Sequence, residues 1–187
     1  MTSFSLFANQ LAPLTPAASE ELEAKLKKKV YKKGDYLLKK GQVCRHLYFI
    51  DHGLVKSAFS NETDEFIMRF FPENSMLTIL DSYVKEIPSL YDIVALEETS
   101  ATLIAKKKVD ELCVKHHCME KMMRELVSLA AINMMARISE MLQEDATARY
   151  RNFLTEQSQL LNRISLGELA KYLGITHVSL SRIRAKK

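Results

Sequence analysis

The sequence predicts an α+β fold: an N-terminal antiparallel β-barrel or jelly roll (a double-stranded β-helix), a long helix, and a C-terminal all-α helix-turn-helix. Three observations predict it. From Lys28 to about Ala105, short runs rich in Tyr, Phe, Ile and Val are separated by glycines. Residues 109–147 return to a helical apolar period. The last stretch, Ile164 to Lys187, reads as two short amphipathic helices meeting at one glycine. The matching division of the chain is 1–108, 109–147 and 148–187.

Residues 1–14 read as a poorly specified lead-in. Thr15-Pro16 then opens a helix, with Thr15 as N-cap, Pro16 at the first helical position, and Glu20, Glu21 and Glu23 near the start. It is expected to run to about Lys27. Strands are expected at Lys29–Tyr31, Tyr36–Lys39, His46–Asp51, Leu54–Phe59, Glu65–Phe71, Asp92–Glu97 and Ala101–Ala105. Gly34, Gly41 and Gly53 punctuate the first four, where tight turns need positive φ or a missing side chain. Many short strands at this spacing point to an antiparallel barrel or jelly roll.

A short helix, Val109–Lys115, precedes a long one from about Met119 to Thr147. Met119, Met122, Leu126, Leu129, Asn133 and Ala136 fall on one a/d stripe of that helix. Met123, Val127, Ala130, Met134, Ile138 and Met141 form an adjoining stripe. A helix apolar on two stripes can pack on its own barrel and on a partner at once. Asn133 at an a position either pairs with its symmetry mate and fixes register, or faces solvent at a frayed contact. A further helix, Ala146–Gln159, is anchored by Tyr150, Phe153 and Leu154.

The closing segment carries its own punctuation. Ser165-x-x-Glu168 is a capping box. Leu166, Leu169, Ala170 and Leu173 make the inner face of the first helix. Gly174 turns the chain, Ile175 plugs the core, and Thr176 caps the second helix. Leu180 and Ile183 face inward, which leaves His177, Val178, Ser181 and Arg182 outward.

Charge follows this division. Residues 151–187 hold seven Lys/Arg against two acids, a net +5, so the formal +4 of the whole leaves −1 for the rest. Basic charge therefore sits with the helix-turn-helix, where a polyanion is met. Three cysteines make no disulfide framework, and neither a signal peptide nor a membrane-spanning run is read, so a reducing cytoplasm is the expected compartment. Cys113-x-x-His116-His117-Cys118 reads as a helix-to-helix corner rather than a metal site. Without a Gly-rich nucleotide loop, nucleophile elbow or HExxH motif, an enzyme is not expected.

The stretch 33–41, KGDYLLKKG, followed by 47–56, LYFIDHGLVK, resembles the front half of a cyclic-nucleotide-binding domain. Together with the C-terminal helix-turn-helix, the chain from about Thr15 to Arg184 resembles the CRP/FNR-type bacterial transcription regulators. The resemblance implies a homodimer whose seam is the long helix, a pseudo-palindromic double-stranded DNA operator, and RNA polymerase as a further partner. It implies base contacts by His177, Val178 and Arg182, with phosphate contacts by Thr176 and Ser179; Ser181 and Lys171 complete the expected interface.

Two departures matter. Only Ala185, Lys186 and Lys187 follow Arg184, so no β-hairpin wing is expected, and the two lysines stand in for its contacts. The effector pocket would be formed by Phe71, Glu73, Asn74, Ser75, Met76, Pro88 and Ser89, yet no Arg occurs between Arg69 and Arg124. A cyclic phosphate buried without a cation is poorly compensated. Cyclic AMP is therefore not expected; another small-molecule effector, or none, is, and no cofactor is assigned. The competing reading is a ligand-binding signalling module whose terminal helices contact a protein.

Overall fold

Eight short strands pair into two four-stranded antiparallel sheets in the computed structural model, which describes residues 2–62 and 64–185. The strands are β1 (Lys27–Tyr31), β2 (Tyr36–Leu38), β3 (His46–His52), β4 (Val55–Ser60), β5 (Glu65–Phe71), β6 (Met76–Leu77), β7 (Asp92–Ala95) and β8 (Thr99–Ala105). One sheet runs β1-β8-β3-β6, the other β2-β7-β4-β5. All seven expected strands form, with ends shifted by a few residues. The two-residue β6, which pairs Met76 with Phe49, is too short to leave a periodic signal.

Gly53 shows why the turns need glycine. Its φ is +97°, and a Cβ there would stand 2.5 Å from Thr99 Oγ1 and 2.6 Å from the Glu98 carbonyl oxygen. The β3–β4 turn thus lies flat against the start of β8.

The residues read as a lead-in form a helix instead, α1 (Ser3–Leu11). Thr2 caps it, and Phe4 and Ala8, one turn apart, are fully buried. Phe4 and Phe7 tilt onto Phe49 at 6.0 and 5.7 Å between ring centroids. Helix α2 (Pro16–Glu23) starts as expected, with Thr15 Oγ1 accepting from the Ala18 N–H, but stops short of Lys27 because β1 begins there. A six-residue helix, α3 (Leu80–Lys85), lies between β6 and β7.

Helix α4 (Lys106–Lys115) leads into the long α5 (His117–Gln143). The latter ends before Thr147, because the Asp145 carboxylate caps a new helix, α6 (Ala146–Glu156), by accepting from the Thr147 and Ala148 N–H groups. A 3-10 turn (Ser158–Leu160), α7 (Leu166–Leu173) and α8 (His177–Ala185) follow.

The core has two parts. The first fills the barrel and is closed by α1, α2, α4 and the start of α5. The second joins the outer side of the other sheet to the helical unit: Leu54, Ile67, Phe70 and Leu96 pack with Tyr150, Phe153, Leu169 and Tyr172. The helix-turn-helix is therefore docked on its own barrel. No helix among the described residues is long and apolar enough to cross a membrane.

Candidate nucleic-acid interface

The capping box forms as read. Ser165 Oγ accepts from the Glu168 N–H at 3.1 Å, and the Glu168 carboxylate accepts from the Ser165 N–H at 2.8 Å. At the other end Gly174 takes φ +67°, and its N–H donates to Ala170. Thr176 Oγ1 then accepts from the Ser179 N–H at 3.1 Å and starts α8. Leu180 is buried and Ile183 half-buried, so α8 is pinned along one side. His177 and Ser181, and Val178 and Arg182, are two i,i+4 pairs on the opposite, exposed side. Among the described residues, none of these four side chains bonds to another part of the chain. Thr176 is exposed beside them, and Ser179 is half-buried.

One expected inner residue differs. Leu166 is exposed, and Tyr172 is buried in its place. Tyr172 is drawn in by the barrel: its ring lies 5.3 Å from that of Phe70 and 5.5 Å from that of Phe153. Two arginines close the end of α7. Arg137 of α5 donates to the Tyr172 carbonyl, and Arg149 of α6 donates to the Leu173 carbonyl at 3.1 Å. Cations suit this end, where helix carbonyls lack intrahelical partners.

The rim of the docked face is ionic. Arg163, just before α7, holds Glu73 through two parallel bonds of 2.9 and 2.8 Å and also pairs with Glu97. Glu73 in turn accepts from the Gly53 N–H at 2.8 Å. The bonds from Arg163 hold the Glu73 carboxyl well below the usual carboxylate range, at about 2. On the neighbouring side Lys171 Nζ donates to Glu65 at 2.7 Å, and Lys56 pairs with Glu65 at 3.0 Å. Burial would raise Glu65, but the bonds from Lys171 and Lys56 outweigh it and keep its carboxyl low. Lys171, expected at the DNA, is thus engaged with the barrel here.

Residues 28–116 match the profile of the cyclic nucleotide-binding domain. Solved structures similar to the chain include the c-di-GMP responsive global regulator CLP of Xanthomonas campestris, with a TM-score of 0.75 and 15% identity, covering 92% of this chain and 91% of that one. FixK2 of Bradyrhizobium japonicum gives 0.74 and 15%, covering 86% and 83%. A regulator assigned to the crp/fnr family, from Eubacterium rectale, gives 0.75 and 18%, covering 92% and 83%. Residues 28–116 thus match a cyclic nucleotide-binding domain, and the chain as a whole has the fold of these solved structures. Among curated proteins no sequence matches it.

Within that domain the seven expected effector residues are tied into the frame. Met76 sits in the β3–β6 ladder, and Phe71 ends β5. Asn74 takes a left-handed turn at φ +62°, and its N–H and the Ser75 carbonyl both bond Ile50. Pro88 bridges to Val43, while Ser89 is buried and bonded to Gln42 and Tyr91. Glu73 is taken by Arg163. Two shallow clefts lie elsewhere, one between α1 and α2, the other beside Lys40, Phe59 and Tyr91.

The stripe expected at the dimer seam is also turned. Met119 and Met122 are fully buried in the chain's own core, Leu126 packs on that core, and Asn133 lies on the same inward side, four residues before Arg137. Leu129 and Ala136 stay exposed at its edge. The outward side of α5 instead carries Ile132 (63% exposed), Met135 (68%), Ile138 (55%) and Leu142 (81%). Both sides are apolar, so periodicity alone does not say which one meets the barrel.

Cys113 and Cys118 are half-buried thiols at the α4–α5 corner, and burial pushes Cys113 up to about 11. His116 of that corner stands 3.4 Å from Glu21. Lys186 and Lys187, expected to replace a wing, lie outside the described residues. The sequence reading missed Arg163, Arg137 and Arg149 as positioning residues. Arg163 and Glu73 are 90 residues apart, so no local pattern links them.

Proposed function

We propose that the chain is a homodimeric, sequence-specific DNA-binding transcription regulator of the cytoplasm, with the barrel as its sensor. One observation carries the reading: α8 is pinned by Leu180 on one side and leaves His177, Val178, Ser181 and Arg182 exposed and uncommitted on the other. These are the side chains that a major groove can use. Arg182 donates two parallel bonds to a guanine edge, Val178 meets a thymine methyl, and the hydroxyls at the start of α8 meet phosphates. The basic surplus of residues 151–187 supports the same reading.

A second copy of the chain packs on Ile132, Met135, Ile138 and Leu142 of α5 in this reading. Four large apolar side chains left open at 3- and 4-residue spacing are costly on a lone helix and are covered in a two-stranded seam. The effector is not cyclic AMP: the stretch between Arg69 and Arg124 supplies no guanidinium, and Glu73 already has its cation. Calorimetry with cyclic AMP and cyclic GMP is expected to show no micromolar binding.

The test is a fluorescence titration of a duplex selected from a random pool by the protein, repeated from low to high salt. A steep fall of log affinity with log salt is expected. Binding absent at every salt, with the protein folded, contradicts the DNA reading and points to a protein partner for α8.

A further inference from the structure

The docked head presents its cations to carboxylates of its own barrel. Arg163 faces Glu73 and Glu97, and Lys171 faces Glu65. These three carboxylates come from three places in the barrel: the β5–β6 turn, the β7–β8 turn and the start of β5. The apolar part of the contact centres on Tyr172 and Phe70. An interface with an apolar centre and a charged rim is the kind that opens between domains of one chain. The chain between α5 and α6 is short, Glu144 and Asp145, so the head is attached at one end of the long helix.

DNA offers the same chemistry that the barrel offers, a row of anions at the head's cations. Resting on the DNA-binding reading above, we infer that the barrel is an intramolecular competitor: its Glu73, Glu97 and Glu65 latch the reading head through Arg163 and Lys171, and the latch opens when DNA is bound. Three features follow from this arrangement. Lys171 cannot serve a phosphate while it serves Glu65. The carboxylates near the docked head repel an incoming backbone. Finally, opening the latch frees cations whose counter-charge was the protein's own, so DNA binding by the latched protein releases fewer salt ions than binding by an open head.

The full-length variant Glu73→Gln with Glu97→Gln tests the latch. The amide that replaces the Glu73 carboxylate keeps an oxygen for the Gly53 N–H, so the turn is preserved. Arg163→Gln breaks the same contact from the other side and leaves both carboxylates in place. Each variant is measured for amide hydrogen exchange in β5 and α7, and the double carboxylate variant also for affinity to the duplex selected by the unaltered protein. Faster exchange in both elements is expected in both variants, and Arg163→Gln, which also removes a cation of the head, is read by exchange alone. For the double carboxylate variant, affinity about five- to hundredfold higher is expected, in the usual range of coupling between sites, with a steeper dependence of log affinity on log salt than in the unaltered protein. Unchanged exchange in both variants overturns the latch, as does faster exchange with unchanged or weaker binding in the double carboxylate variant. If neither protein binds any duplex, the DNA-binding reading falls and so does the competitor.

Discussion

Arg137 of the long helix lays its guanidinium over the ring of Tyr172, 4.1 Å from the centroid, and donates to the Tyr172 carbonyl oxygen. One side chain thereby fixes the first helix of the helix-turn-helix to the helix that carries the exposed apolar stripe. A planar guanidinium can stack and donate at once; an ammonium cannot. Arg137→Ala is expected to lower stability by about 1–3 kcal/mol, from a partly desolvated cation–π contact and a charged hydrogen bond. Arg137→Lys is expected to recover less than half. Urea denaturation followed by circular dichroism measures both, and full recovery by lysine would show that charge alone matters.

Gly174 tests the packing below that contact. Its φ of +67° suits glycine, and a Cβ there would meet Met141 Cε of α5 at 2.9 Å. Gly174→Ala is expected to destabilise by about 1–2 kcal/mol, mostly backbone strain. Met141→Ala in the same chain removes only the steric share, so the double variant should regain a minor part of the loss. Complete rescue would mean that the left-handed turn is not the constraint.

Acid should loosen the head. Glu73 has its folded value lowered to about 2 from an ordinary 4.5, chiefly by the bonds from Arg163. A lowered carboxylate contributes stability above its unfolded value and loses it as pH falls through the folded one. The contribution of Glu73 is therefore present in full above pH 4.5 and fades between 4.5 and 2. Other carboxylates titrate in that range, so the measured quantity is the difference between the unaltered protein and Glu73→Gln. That difference should shrink as pH drops; a constant difference would remove the ion pair from the account.

How much of this was legible before the structure divides by range. Local devices were readable: the glycine turns at Gly34, Gly41 and Gly53, the Thr15 cap, the Ser165–Glu168 capping box and the Gly174 turn all rest on a few adjacent residues. Helix α1 was not, since Phe4 and Ala8 make one short apolar stripe whose meaning appears only against Phe49. The facing of α5 was misread because both of its sides are apolar and the barrel chooses between them. At the candidate interface, the outward set on α8 was readable from Leu180 and Ile183. The engagement of Lys171 with Glu65 was not, because the two meet across 106 residues.

The corrected facing of α5 makes a sharp comparison. Ile138→Glu places a charge on the exposed stripe and is expected to weaken self-association at least about tenfold, with an unchanged fold. Met122→Glu, in a fully buried position, is expected to unfold the chain instead. Asn133→Leu, on the inward side, should leave the oligomer unchanged. Sedimentation equilibrium with circular dichroism separates the three, and dissociation by Asn133→Leu alone would restore the inward stripe as the seam.

The measurement that bears most directly on the function is selection of duplexes from a random pool by the full-length chain, repeated with Arg182→Ala. The unaltered protein is expected to enrich an inverted repeat whose half-site centres lie about one helical turn, ~10 bp, apart. Arg182→Ala is expected to bind the winning sequence about 1–3 kcal/mol more weakly and to relax one base position in each half-site. An unenriched pool, or a single half-site without symmetry, would contradict a dimer that reads DNA through α8.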